Sequence, residues 1–354
     1  MDAAVNHPGP QANALTQPFL AADVGGTHAR VALVQACGDG DRGLEMLARR
    51  RFACADFVGL AELLQAFIDG HAESPVRHCV LACAGQAMDD GVLNDNLAWP
   101  IHVPRLRSAL ALDDVAVLND FEALAYALDG MPEHAGRLLC GPDKHPNGPT
   151  LVIGPGTGLG AAVRVPAGDG FVVLTTEAGQ MDFAPNTLRE REILACLAPR
   201  GGYVAYERIV SGPGLLGLYT ILCRLHGVAP RLATPEAVSS AAVTSGDAQA
   251  LEAVQIFCAT LGSFVGDLAM AFMASGGVHL AGGFLYSMFG LLQRSTFEER
   301  FLHGRSVRTF LSRVPVRVME HGDHGVLGAA RWYLRRAAGG AASPQHAAPL
   351  GLAV

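Results

Sequence analysis

Two stretches of the chain combine apolar, strand-like runs with glycine and threonine in a way that suits an anion. Residues 19–34 read F-L-A-A-D-V-G-G-T-H-A-R-V-A-L-V, and residues 151–165 read L-V-I-G-P-G-T-G-L-G-A-A-V-R-V. Each pattern predicts two antiparallel strands joined by a tight turn, with glycines where side chains would obstruct the backbone. Paired glycines also let N–H groups and a threonine hydroxyl approach a phosphate closely. A carboxylate beside a phosphate is repelled by it, so Asp23 belongs there when a cation such as Mg²⁺ lies between them. Either hairpin alone reads better as an ordinary glycine-rich turn. Two in one chain point to two halves gripping one polyphosphate.

A second group of residues offers acid, base and hydrogen-bonding chemistry. Residues 114–118 read as a buried strand that ends at Asn119-Asp120, and a helix begins immediately after, over residues 121–128. Polar groups at the carboxyl end of a strand are where open α/β sheets bind ligands. Asp is equally a favoured N-cap, so at this point Asp120 carries two readings, ligand group or helix cap. Further along, L-T-T-E-A-G-Q-M-D-F-A-P sets Glu177, Gln180 and Asp182 among small residues, and Glu207 precedes the turn Ser211-Gly-Pro-Gly214. Carboxylates and amides accept hydrogen bonds from hydroxyls, so several of them converging suit a polyol or sugar. The plainer alternatives are a salt bridge to Arg208 or a helix cap for Glu207, and a surface amide for Gln180.

The elements that position these groups follow from periodicity. After the opening hairpin come a turn at residues 38–43 and a third strand at 44–54. A helix over residues 57–72 presents Leu60, Leu63, Leu64, Phe67 and Ile68 on one face, with Asp56 as its N-cap. A short apolar strand runs from His78 to Gly85, and residues 91–101 read as irregular. Strand, helix, strand, strand, helix marks a small α/β domain. Beyond the second hairpin, residues 187–197 read as a helix whose Arg189, Glu190, Arg191 and Glu192 form a solvated face. Residues 215–226 and 247–274 read as apolar-faced helices, 314–319 as a last strand and 325–336 as a closing helix. Gly276-Gly277 and Gly282-Gly283 bracket a short strand, which lets a flat ring approach the backbone. His279 inside it has no partner at metal-ligand spacing and reads as structural.

Bulk properties exclude several classes. The 354 residues are long for one core, half are apolar and 17% are charged, which predicts two well-buried domains. A net charge of −7 and the absence of any basic cluster argue against a nucleic-acid surface. Lys144 is the only lysine among 26 basic residues and lies in a loop, so neither a Walker P-loop nor a protein-kinase strand lysine exists. The 8 cysteines form no C-x-x-C pair, which argues against structural zinc and a disulfide framework and for a reducing compartment. No signal peptide is apparent, and Asp267, His279 and glycines interrupt the best candidate for a membrane span. The expected location is the cytoplasm.

Taken together, Asp23-Val-Gly-Gly-Thr27, Asn119-Asp-Phe121, Gly154-Pro-Gly-Thr-Gly-Leu-Gly160, Asp182-Phe-Ala-Pro-Asn186, Glu207-Arg with Ser211-Gly-Pro-Gly214, and Ala281-Gly-Gly283 resemble the bacterial glucokinases. These belong to the hexokinase–actin–Hsp70 ATPase superfamily, and the resemblance runs from about Leu20 to about Leu334. It implies an α/β, two-domain actin-like ATPase (ribonuclease H-like) fold with an interdomain cleft. The small α/β domain would be residues 17–128, completed by the C-terminal helix 322–337, and the large α+β domain residues 129–321. Flexible tails would occupy residues 1–16 and 338–354. The cofactors implied are ATP and Mg²⁺. Asp23, Gly25, Gly26 and Thr27 would form the first phosphate loop, Asp23 meeting the Mg²⁺ of Mg-ATP through water. Gly156, Thr157 and Gly158 would form the second, and Gly282 and Gly283 would lie near the adenosine. Asn119, Asp120, Glu177 and Glu207 would bind glucose or a related hexose, with Asp120 as the base. Gln180 stands at a further sugar-contacting position. No nucleic acid and no membrane is expected as a partner, and a homodimer is expected. The resemblance also implies closure on the sugar about hinges at residues 121–128 and 321–325, which expels water and completes the site.

Two residues depart from the family pattern. His28 stands where the phosphate loop usually has asparagine, and Gln180 stands where the family has its sugar-contacting histidine. A glutamine amide bonds a hydroxyl with a different reach, and it cannot carry an imidazole's charge. Gln180 therefore keeps open a kinase for a different hexose, or a sugar-sensing homologue of weak catalysis. A repressor relative would need a helix-turn-helix and a zinc-binding cysteine cluster. An actin-like filament protein would not need Glu177 and Glu207 converging with Asp120.

Overall fold

The run Phe19–Val24 is apolar at five of six positions, as a central strand covered on both faces must be, and it is flanked on both sides. The computed structural model describes residues 17–37, 43–88, 91–93, 97–132, 135–144, 146–244, 246–302, 306–320 and 322–339. The expected tails (the C-terminal one from residue 340), most of the turn at 38–43, Asn94, Asp95, Asn96 and His321 lie outside the described residues. The chain divides into two units. One is built from residues up to Met131, Val172–Leu174 and Asp323 onward, the other from Pro132–Phe171 and Thr175–Gly322.

In the first unit, β1 (Phe19–Val24), β2 (His28–Ala36) and β3 (Leu44–Ala53) form an antiparallel meander. Then β4 (His78–Cys83) pairs parallel with β1, and β7 (Asp114–Asn119) pairs parallel with β4, giving the order β3-β2-β1-β4-β7. A separate hairpin joins β5 (Gln86–Met88) to β6 (Gly91–Leu93), so part of the stretch expected to be irregular is extended. Helices α1 (Leu60–His71) and α2 (Val103–Ala109) contribute Leu63, Leu64, Phe67 and Leu106 to a core with Leu20, Val31, Leu81 and Val117. The opposite face carries α3 (Asp120–Ala127) and α12 (His324–Ala337), which pack on each other and on the strands. The exposed edge strand β3 carries Arg49, Arg50 and Arg51, charges that discourage pairing with a further chain.

Asp56 does not cap α1. It closes a short 3₁₀ turn, Cys54–Asp56, and Gly59 is the residue before the helix. The chain is still tied to the first glycine turn at Cys54, whose N–H donates to the Thr27 carbonyl at 2.9 Å. The N–H of Val58 is instead satisfied by the Glu62 carboxylate at 2.8 Å, from within the helix.

The second sheet, of whose residues Val172–Leu174 are counted with the first unit, repeats the topology. Here β9 (Thr150–Pro155), β10 (Leu159–Ala167) and β11 (Gly170–Thr176) precede β12 (Gly277–Leu280) and β13 (Val316–Val318), and β8 (Arg137–Cys140) adds an edge. The order is β11-β10-β9-β12-β13-β8, with β9, β12 and β13 parallel. Between β11 and β12 run α4 (Leu188–Leu197), α5 (Gly212–Leu225), α6 (Pro235–Thr244) and α7 (Ala248–Ala271). After β12 come the short helices α8 (Gly283–Ser287), α9 (Phe289–Arg294), α10 (Phe297–Phe301) and α11 (Arg308–Leu311). At 24 residues α7 is long and apolar enough to cross a membrane by length and composition, contrary to expectation, but 78% of its apolar window is buried. Packing by α5, α6 and α10 makes it a core helix.

The face of α4 expected to be solvated is not uniformly so. Glu190 is 2% exposed and pairs with Arg300 at 2.7 Å. Its carboxylate also accepts the N–H groups of Asn186 at 2.5 Å and Thr187 at 3.2 Å, while the Thr187 hydroxyl accepts the Glu190 N–H at 3.1 Å. This capping box turns the side chain back over the helix start, where Arg300, itself bonded to the Ser263 hydroxyl at 2.8 Å, meets it. Removing one partner of a buried pair strands the other charge. Glu190→Ala should therefore lower the unfolding free energy by about 3–5 kcal/mol in urea titrations; a loss below about 1 kcal/mol would show the pair to be solvated, as an exposed bridge is.

Candidate functional site

Parallel pairing sets the first half of the site. The register aligns Val24 with Cys83 and Cys83 with Asn119, so Asp23 and the pair Asn119-Asp120 sit at one edge of the sheet. Two strand spacings separate them, roughly 10 Å. Burial pushes the Cys83 thiol, between them, well up, and the negative charges of Asp120 and Asp23 add to the effect.

The first turn is held from within and from behind. Gly25 N–H donates to the His28 carbonyl at 3.0 Å, and the Cys54 thiol reaches the Gly25 carbonyl at 3.6 Å. Thr27 and His28 are exposed, with the His28 Nδ1 at 3.2 Å from the Thr27 hydroxyl. Desolvation of the ring, followed by the charges of Arg51 and Arg30, lowers the His28 pKa below its usual 6.5. The imidazole is therefore neutral near pH 7, a hydrogen-bonding group in the place of an amide.

Asp23 lies opposite Arg30 in the antiparallel register and accepts from its guanidinium at 3.3 Å. Burial raises the Asp23 pKa above 3.8, Arg30 opposes that shift, and the Asp323 carboxylate adds to it. The first turn of α12 comes close behind: a Cβ on Gly325 would fall 2.8 Å from the Asp23 carboxylate. Only glycine lets the helix start approach so near, and helix N-termini favour negative charge. Asp323 is in turn paired with Arg49. Gly325 and Asp323 were not singled out from sequence, because nothing local to them signals a partner at the other end of the chain.

Asn119, not Asp120, is the cap of α3. Its Oδ1 accepts from Phe121 N–H at 2.9 Å and Glu122 N–H at 3.2 Å, while its amide donates to the Gly85 carbonyl at 3.1 Å. Asp120 is the first helical residue, half-buried, with Oδ1 accepting the Phe121 N–H at 3.0 Å. Since Asn119 does the capping, the position of Asp120 is not explained by a cap alone.

In the second unit the glycine turn between β9 and β10 is held by three motifs. Gly156 N–H donates to the Gly158 carbonyl at 2.8 Å, and the Gly156 carbonyl accepts Gly212 N–H at 2.8 Å. Gly212 opens α5, capped by Ser211, which accepts the Gly214 N–H at 3.0 Å; Ser211-Gly-Pro-Gly214 thus brings a helix N-terminus to the turn. Gly156 and Thr157 are exposed, Gly158 partly so. Gly282, after β12, lies against the end of β9, where an added Cβ would fall 2.8 Å from the Pro155 carbonyl, and Gly283 opens α8. Glu207, half-buried in the 3₁₀ turn Tyr206–Arg208, is neither paired with Arg208 nor capping. Its Oε2 accepts the Leu159 N–H at 2.8 Å and its Oε1 the Gln180 amide at 3.2 Å. Gln180 ends the turn Ala178–Gln180 and Glu177 stands at its start, both exposed. Among the described residues, no group of three or more His, Cys, Asp or Glu could hold a metal by itself.

A family model described as Glucokinase matches residues 20–336. A glucokinase-like protein of Xylella fastidiosa (strain 9a5c) is 44% identical over 333 residues, covering 94% of this chain and 99% of the relative. A glucokinase of Marinobacter nauticus is 35% identical over 311 residues, covering 88% of this chain and 95% of the relative. The crystal structure of a glucokinase from an Antarctic psychrotroph matches with a TM-score of 0.75 at 30% identity, covering 89% of this chain and 98% of that one. These likenesses and the two sheets show the two-domain actin-like ATPase fold.

The Asp23 shift has a consequence for stability. A carboxyl whose folded pKa lies above its unfolded one binds protons more tightly in the native state, so stability falls as pH rises from 3.8 through the folded value. Near pH 7 ionised Asp23 is a net burden. Asp23→Asn should leave the thermal midpoint at that pH unchanged or higher, measured by calorimetry; a marked fall would mean that the Arg30 pair outweighs the desolvation.

Proposed function

Because the chain belongs to the glucokinase family of sugar kinases, we propose that it phosphorylates glucose to glucose 6-phosphate using Mg-ATP, with Asp120 as general base. The observation that carries this reading is the strand register that sets Asp120 on the same sheet edge as Asp23. One carboxylate stands by the glycine-threonine turn, and the other stands at the start of the helix that Asn119 caps, its Oδ1 accepting the Phe121 N–H at 3.0 Å.

The residues fit the cofactor. Asp23 is desolvated and flanked by Asp323, so a cation favours its ionised form. When bound, Mg-ATP supplies the transferable phosphoryl group and neutralises charge on it. Gly25, Gly26 and Thr27, with Gly156, Thr157 and Gly158, offer N–H and hydroxyl groups to the phosphates; Gly282 and Gly283 give the adenosine a surface without side chains. Asn119 uses its carbonyl on the α3 cap and keeps an amide N–H for a sugar hydroxyl. Glu177, Gln180 and Glu207 take other hydroxyls of the hexose. Asp120 accepts the proton of the attacking hydroxyl, a role typically worth ~10²–10⁴-fold. Hinges at residues 121–128 and 321–325 would let sugar binding complete the site and exclude water as an acceptor. A cytoplasmic homodimer is part of the same reading.

The test is a coupled ADP-release assay with Mg-ATP and glucose, mannose, fructose, N-acetylglucosamine or no sugar. Glucose-dependent turnover is expected, falling about 10²- to 10⁴-fold in Asp120→Asn while glucose still binds. Turnover with another sugar alone would make Gln180 a specificity determinant. Sugar binding without turnover would replace the kinase by a sensor.

A further inference from the structure

Glu207 is committed before any ligand arrives. Both its oxygens already accept hydrogen bonds, one from the peptide N–H of Leu159 at 2.8 Å, the other from the Gln180 amide at 3.2 Å. Leu159 is the first residue of β10, immediately after the glycine turn Gly156–Gly158. The other side of the same residue is gripped as well. Gly179 lies so close to the Leu159 carbonyl that an added Cβ would sit 2.1 Å from it, while a Cβ on Gly158 would sit 2.5 Å from the Glu207 carboxylate. The turn Ala178–Gln180 and the turn Tyr206–Arg208 thus close on Leu159 from two sides.

Those two turns are themselves stapled together. Tyr206 N–H donates to the Met181 carbonyl at 2.9 Å, Phe183 N–H to the Val204 carbonyl at 2.8 Å, and Val204 N–H to the Asp182 carboxylate at 3.2 Å. The Tyr203 hydroxyl donates to the Gln180 carbonyl. Tyr206 anchors the assembly in the core, with its ring on Phe183 and Phe264 and its hydroxyl 3.3 Å from Asp267. A carboxylate held on such a frame has little freedom to turn toward a new donor without releasing an old one.

We propose that Glu207 is a positioning residue for the second glycine turn, that Gln180 sets the orientation of its carboxylate, and that sugar and nucleotide binding are coupled through this contact. The inference rests on the reading of Glu207 as a sugar ligand and extends it. A hydroxyl that donates to Glu207 competes with, or reorients, the bond to Leu159 N–H, and that peptide is continuous with the turn. Coupling of this kind is reciprocal, so a change in the turn must be felt at the sugar as well.

The experiment measures binding of glucose and of Mg²⁺ with a non-hydrolysable ATP analogue, each alone, together with hydrogen exchange at the Leu159 amide, on the full chain. Glu207→Ala should weaken the nucleotide analogue about tenfold in the absence of sugar and expose the Leu159 amide to exchange, as loss of a charge-assisted bond predicts. Glu207→Gln keeps an acceptor for that amide, so it should restore nucleotide affinity and protection while glucose binding stays weak. Gly158→Ala, in the turn, should weaken glucose by displacing the carboxylate. The proposal is overturned if Glu207→Ala weakens glucose alone and leaves nucleotide affinity and Leu159 protection as in the unsubstituted chain, or if Gly158→Ala leaves glucose affinity unchanged. Absence of turnover with every sugar in the unsubstituted chain would sink the kinase reading separately; the Leu159 amide would still report on the strut.

Discussion

The register of β1 between its two neighbours is the constraint on which the first unit depends. Asp23 pairs with Arg30 on the antiparallel side, and Val24 pairs with Cys83 on the parallel side. A slip of one residue would turn Asp23 into the apolar core of Leu20, Val31 and Leu81 and expel a core residue in exchange. Nothing in a glycine-threonine turn can compensate for that. The turn presents N–H groups, but the strands decide which side chain stands beside them. The same parallel pairing, carried on through β4 to β7, brings Asn119 and Asp120 to that edge.

Both sheets use one topology. Each has an antiparallel meander followed by two parallel strands, and each places its glycine turn between the first two strands of the meander. In the first unit the turn stands beside a desolvated carboxylate that is paired with Arg30. In the second no carboxylate stands on the strand; instead Glu207 supports the turn from the side and the start of α5 supports it from behind. The frame is duplicated but its dressing is unlike, a buried, Arg-paired carboxylate beside the first turn and a helix terminus behind the second.

The hairpins, the strand ending at Asn119 and the main helices were legible in the sequence because their determinants are local: alternation, apolar periodicity, and glycines at turns. Three features were not, and each fails locality in its own way. Asp56 looked like a cap, but Cys54 is tied to Thr27 and Glu62 serves the helix start, so the backbone enters the helix three residues later. Glu190 sits among charged residues that ordinarily face water; its burial follows from Arg300, which arrives from a distant helix. Glu207 invited a pairing with its neighbour Arg208, whereas its partners lie on two other segments. The closeness of Gly325 to Asp23 belongs to the same class. Side chains that read distant backbone are invisible to a one-dimensional pattern.

Gln180 takes its meaning from Glu207. A carboxylate that already accepts a peptide N–H needs a second donor that does not pull it off that peptide. A neutral amide meets that condition, since it donates one bond to Oε1 and leaves Oε2 to the Leu159 peptide. An imidazole at the same position would change protonation near pH 6.5 and compete for the carboxylate with a full charge when protonated. Glutamine therefore holds Glu207 through a donor whose own protonation does not change with pH. The difference between the two side chains thus lies in how the Glu207 carboxylate is held, by a neutral donor at one oxygen and the Leu159 peptide at the other.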